Sequence, residues 1–228
     1  MPTILSLLAA HPDFWSPRMR RVTPFLLALV ISVGACRDDP TAPPQDSAIT
    51  PAVTTASTPH FLRAKAGAPT IANPVIRFYA KKGQRKTVFM LYHARPGQKD
   101  STDLIRFRLR ENSLLARPDG RPIKNGESVL ITLRLVDPVR LIVDFQPAGL
   151  RFNPRDPADL RIRWAETNPD VNRDGVVNQQ DAALKERLKI WRRESSTQPW
   201  TRTPSLVNVP SQECELDLTG FTRYAVAY

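Results

Sequence analysis

The stretch DVNRDGVVNQQD, residues 170–181, sets oxygen-bearing side chains at alternating positions around a glycine. A twelve-residue calcium loop needs ligands at its first, third, fifth, seventh, ninth and twelfth positions, with glycine at the sixth for a sharp turn. In this segment those are Asp170, Asn172, Asp174, the backbone carbonyl of Val176, Asn178 (directly or through a water) and Asp181, with Gly175 at the turn. A hard divalent cation takes several oxygens, and alternating side chains on a tightly wound loop supply them. Three carboxylates so close together repel one another unless a cation sits among them, and Arg173 offsets only one charge. The spacing predicts a Ca2+ site with the weak affinity of extracellular loops, roughly 10⁻⁴ to 10⁻³ M.

The other chemistry-bearing residues form no comparable constellation. The histidines are His11, His60 and His93, and the cysteines are Cys36 and Cys214. A Cys214–His93 pair or a Ser–His–Asp arrangement stays open, but no nucleophile elbow, His-rich metal cluster or Gly-rich phosphate loop accompanies it. Cys214 alternates with Leu216 and Leu218 in ECELDL, which predicts a small buried thiol on an apolar strand face. Two cysteines make no disulfide scaffold. The chain reads as non-enzymatic.

The loop has to be carried by folded elements. With 228 residues, 41% of them hydrophobic, the chain holds enough apolar material for one core. Arg18, Arg20 and Arg21 precede PFLLALVISVGAC, a basic start, a short apolar run and small residues, so 1–35 reads as a signal peptide. The run from Phe25 to Val33 is too short to span a bilayer comfortably, and Met19 offers an alternative start. Residues 36–73 are dominated by Pro, Thr, Ala and Ser without apolar periodicity, a disordered tether averaging roughly 35 Å end to end.

Within 74–228 the pattern changes to period two. LIRFRLRE sets Ile105, Phe107 and Leu109 against Arg106, Arg108 and Arg110, and SVLITLRLV alternates Val129, Ile131, Leu133 and Leu135. VIRFYA, TVFMLY, LIVDF, LRIRW, ECELDL and YAVAY continue the theme, separated by turn sequences such as RPGQ, RPDGRP and QPAG. About eight short strands with polar turns predict an all-β fold, an antiparallel β-sandwich. After the loop, AALKERLKIWRRE predicts a helical turn to about Leu184 and then a strand, with helix competing for residues 185–193. The formal net charge of +11 favours an anionic partner or surface. Like-charged strand faces are unfavourable, however, so Glu213, Glu215 and Asp217 are expected to lie beside an Arg face. That compensation, with few interleaved aromatics, argues against nucleic acid.

Three resemblances add to this reading. Val33-Gly34-Ala35-Cys36 resembles the bacterial lipobox, which implies a lipoprotein whose lipidated first residue is Cys36. Arg37 in place of Asp implies the outer membrane. DVNRDGVVNQQDAALKERL resembles one repeat of a dockerin, an EF-hand-like motif with Asp at position twelve. The resemblance implies calcium ligation at the residues named above. Dockerins have two repeats and this chain has one, so their partner binding does not carry over. QPAGLRFNPRDPADLRIRW and LTGFTRYAVAY resemble the β-domain of ankyrins and netrin receptors and its bacterial extracytoplasmic relatives. The matching residues are Pro147, Gly149, Leu150, Phe152 and Pro154, then Phe221, Thr222 and Tyr224 to Ala227. This implies an Ig-like sandwich over about 105–228 with the calcium loop inserted, and no catalytic residue. The His of the family's self-cleaving members is missing from GFTRY.

The combined expectation is a non-enzymatic cell-envelope lipoprotein, lipid-anchored in the outer membrane. It would present a calcium-stabilised β-domain for adhesion or protein interaction, its partner an envelope protein or polysaccharide. An anionic lipid or polysaccharide surface bound through the Arg-rich strand faces is the alternative, and an extracytoplasmic hydrolase a more distant one.

Overall fold

The computed structural model describes residues 58–97 and 101–228. The expected signal peptide, Cys36 and the first part of the expected tether lie outside the described residues. In chain order the elements are β1 (Val75–Lys81), β2 (Lys86–Leu91), β3 (Asp103–Leu109), β4 (Leu114–Ala116), β5 (Ser128–Asp137), β6 (Ile142–Gln146), β7 (Arg151–Phe152) and β8 (Ala158–Arg163). There follow α1 (Gln179–Glu186), β9 (Lys189–Arg193), β10 (Thr201–Arg202), β11 (Leu206–Asn208), β12 (Glu213–Leu218) and β13 (Arg223–Ala227).

Two antiparallel sheets form the body. One is six-stranded in the order β1-β5-β6-β13-β9-β10, the other five-stranded in the order β11-β12-β8-β3-β2, and β4 pairs with β7 in a small two-stranded sheet. The period-two alternation dictates which side of each strand is inside, because successive side chains of a strand point to opposite faces. Ile105 and Phe107 of β3 are fully buried, as are Ile131 and Leu133 of β5 and Phe145 of β6. Phe107 meets Phe145 of the opposite sheet edge-on at 5.8 Å between ring centres, and Phe221 packs on Phe107, Phe145 and Phe152 within 4.9 to 5.5 Å. This aromatic cluster welds the two sheets together, since aromatic pairs in tilted or edge-on geometry add to the gain from burial. The antiparallel sandwich expected from the sequence is therefore observed, and Leu150, Phe152, Phe221 and Tyr224 of the two quoted motifs are core residues.

The structure departs from the sequence expectation at 58–73. Its composition reads as tether, yet His60 to Ala64 lies alongside the end of β13. The Leu62 N–H donates to the Val226 carbonyl, the N–H groups of His60 and Tyr228 donate to each other's carbonyls, and the Ala64 N–H donates to the Val139 carbonyl at 2.8 Å. The Leu62 side chain enters the core, and His60 stacks on Tyr228. The reason is tertiary. β6 pairs with β13 only at Arg223 and Tyr224, so the later backbone groups of β13 need another partner, and this strap supplies it. Of the strap's apolar residues Phe61, Leu62 and Ala64, Leu62 alone is buried, and the adjacent pair Phe61-Leu62 shows no alternation to read.

α1 extends two residues past the expected Leu184, and β9 follows, so the ambiguous segment divides into helix and strand. The helix is short and mostly exposed, whereas Leu188 and Ile190 are fully buried, which is why the chain turns to strand there.

Candidate metal centre

The loop runs from the end of β8 to α1, and its shape is set by side chains that bond its own backbone. Asp170 Oδ2 accepts the Gly175 N–H at 2.9 Å, Asn172 Oδ1 accepts that of Asp174 at 3.0 Å, and Asp174 Oδ1 accepts that of Val176 at 2.9 Å. Short Asx side chains favour such turns because they replace missing backbone partners. The winding puts Arg173 and Gly175 at φ of 64° and 91°. At position 175 the left-handed backbone suits glycine, and the Arg173 backbone carries the same conformation at a cost.

Asp181 closes the loop. Its Oδ1 accepts the N–H groups of Val171 at 2.7 Å and Asn172 at 3.2 Å, while Oδ2 accepts that of Asn178 at 2.9 Å. Asn178 in turn caps α1 by accepting the Gln180 N–H, so Asn178 and Asp181 form a reciprocal capping box. Asp181 is fully buried. The Asn178 N–H, then those of Asn172 and Val171 with the charge of Lys185, hold its carboxyl below the usual range against the opposing effect of burial. Behind it Val171 anchors the loop in the core.

The six expected ligand positions lie along the segment from Asp170 to Asp181, where the acidic and amide side chains bond chiefly to the loop's own backbone. Asn172 Nδ2 touches Asp174 Oδ2 at 2.8 Å, and Asp170 reaches across to Gly175. Among the described residues no three His, Cys, Asp or Glu side chains converge as a ready-made cage. Asp181 has three of its roughly four acceptor sites committed to backbone N–H groups. Asp170 Oδ1, in contrast, is shut off from solvent and has no hydrogen-bond partner. A buried carboxylate oxygen without a donor is costly and calls for a cation or a water. The donor set is all oxygen, which fits Ca2+, with Asp170 Oδ1 as the atom in most need of it.

Sequence reasoning missed the grip of this region on the strap. Arg173 donates to the Phe61 carbonyl at 2.7 Å, and Asn168 N–H to the Arg63 carbonyl at 2.8 Å. Glu166 pairs with Lys65 at 2.9 Å and Arg95 at 2.6 Å. These carboxylate and carbonyl partners lie far away in sequence, and nothing in the local pattern announces them.

The expected charge compensation is present. On the outer face of the five-stranded sheet Glu213 and Glu215 of β12 stand opposite Arg163 and Arg161 of β8. Arg161 pairs with both Glu213 (2.8 Å) and Glu215, Arg163 with Glu213 and Asp103, and Arg106 and Arg108 with Asp159. Cys214 is fully buried and its thiol is pushed up to about 12 by burial, while His93 is exposed. A thiol so protonated is packing material rather than a nucleophile. Compared with family models, curated proteins and solved structures, the chain matches none.

Proposed function

We propose that this chain is a non-enzymatic cell-envelope lipoprotein whose β-sandwich is stabilised by one Ca2+ ion and presented for adhesion or protein interaction. The observation that carries the calcium reading is the buried, donorless Asp170 Oδ1 in a loop otherwise closed by its own hydrogen bonds. In this reading Asp170, Asn172, Asp174, the Val176 carbonyl, Asn178 and Asp181 hold the ion, and Asp181 exchanges part of its backbone bonding for the metal. The ion supplies charge neutralisation for the three carboxylates. The chain's own residues supply rigidity, with Val171 in the core and Arg173 tied to the strap.

An ion bound only by the native state stabilises it by mass action. With a dissociation constant of roughly 10⁻⁴ to 10⁻³ M, about 10 mM calcium adds ~1.4 to 2.7 kcal/mol, or roughly 3 to 10 °C in melting temperature. The test is a calcium titration of the full chain followed by thermal unfolding. A rise in melting temperature with calcium that vanishes on Asp170→Ala supports the reading, and an unchanged melting temperature at 10 mM overturns it.

A further inference from the structure

We propose that the outer face of the β1–β5 strand pair docks on an anionic lipid bilayer. The sandwich segregates its charge. The arginines outside β3 and β8 are matched by carboxylates, as described above. On β1 and β5 they are not. Arg77, Lys81 and Arg134 project from the outer face, and no described carboxylate lies within ion-pair distance of any of them. The nearest acidic position by register is Asp144, opposite Arg134, and its carboxylate is paired with Arg223 at 3.3 Å.

The same face carries apolar side chains that the fold leaves in water. Tyr79 is 71% exposed and stands opposite Leu130, itself 47% exposed, while Val75 and Val136 continue the row. Strand alternation normally gives such outward positions to polar residues. An apolar row set among unpaired cations suits a surface that is negative outside and apolar just beneath. Each Lys or Arg near an anionic leaflet is attracted to it, and Tyr favours the interfacial depth.

Two other occupants fit less well. β1 is the edge of the six-stranded sheet, but antiparallel pairing with a second copy would bring Arg77 and Lys81 against their like. A polyanionic chain would use the cations and leave Tyr79, Leu130 and Val75 without a role.

The experiment uses the full chain with Cys36→Ser, so that a single introduced thiol carries an environment-sensitive fluorophore. One protein is labelled at Thr132→Cys, between Arg77 and Gln146 on the proposed face; a second is labelled at Thr87→Cys, opposite Arg108 on the other sheet. Vesicles are phosphatidylcholine alone or with one part in three phosphatidylglycerol. The expected result is a shift to shorter wavelength at position 132 on the anionic vesicles only, with none at position 87. Arg77→Glu with Lys81→Glu should abolish it without changing the melting transition. The proposal is overturned by no shift at 132, by equal shifts at both positions, or by a shift that survives the charge reversal. It is equally overturned if a soluble sulfated polysaccharide produces the same shift without vesicles, because the partner is then a polyanion. Because the face lies apart from the calcium loop, failure here leaves the calcium titration untouched.

Discussion

Asp170 and Asp181 stand at the two ends of one loop but make opposite demands on it. Asp181 holds three backbone N–H groups and closes the α1 capping box, so its loss should destabilise the protein with or without calcium. Asp170 has one oxygen bonded to Gly175 and one with no donor, so its loss should remove mainly the calcium response. The contrast is read by melting each variant in chelator and in calcium: Asp181→Ala melts lower in both, Asp170→Ala differs from wild type chiefly in calcium. Equal behaviour of the two would show that Asp181 has no separate bracing role. The protonation of Asp181 gives a pH signature. Its folded-state value is depressed, so it contributes stability above its unfolded value, roughly 3.9, and that contribution is lost as pH falls through the lower folded value. Stability measured in chelator between pH 5 and pH 2 should therefore fall less steeply for Asp181→Asn than for wild type. Melted in chelator, where no ion is held, Asn178→Ala removes only the cap of α1 and should cost about 1 kcal/mol.

The strap and the loop together decide how firmly the open stretch of β13 is covered. Leu62→Ala deletes the strap's one core side chain, and a substitution of that kind costs about 2 to 5 kcal/mol. If the strap acts as a strand, amide exchange at position 62 and at Tyr228, whose N–H groups join the strap to the end of β13, should accelerate in this variant while the β3–β8 pairing stays protected. Uniform acceleration would mean that the sheet opens as one unit. These elements also mark how far the sequence was legible. Long strands with clean alternation, such as β3, β5 and β12, announced both their existence and their buried face. β4, β7, β10 and β11 span two or three residues each, too few for a period to show. The strap was hidden because its place follows from where β6 stops pairing with β13, a tertiary fact. The loop's ligand spacing was readable, whereas the backbone commitments of Asp181 were not, because one carboxylate serves equally as ligand or cap.

At the scale of the whole molecule the sandwich carries a balanced face and a cationic one, and the proposed lipid at Cys36 decides which contact dominates at the membrane. A positively charged face alone is a salt-sensitive attachment, since about 1 M salt shrinks the screening length to ~3 Å. Several acyl chains hold through dispersion and the hydrophobic effect and are indifferent to salt. Wild-type protein in envelope preparations should therefore stay with the membrane in about 1 M salt and take up labelled palmitate. Cys36→Ser should lose the label and become extractable by salt, while Cys214→Ser, altering a thiol enclosed in the core, should keep both the label and the attachment. Palmitate retained in Cys36→Ser would refute lipidation at that residue, and wild-type protein released by salt would leave charge as its main hold on the membrane.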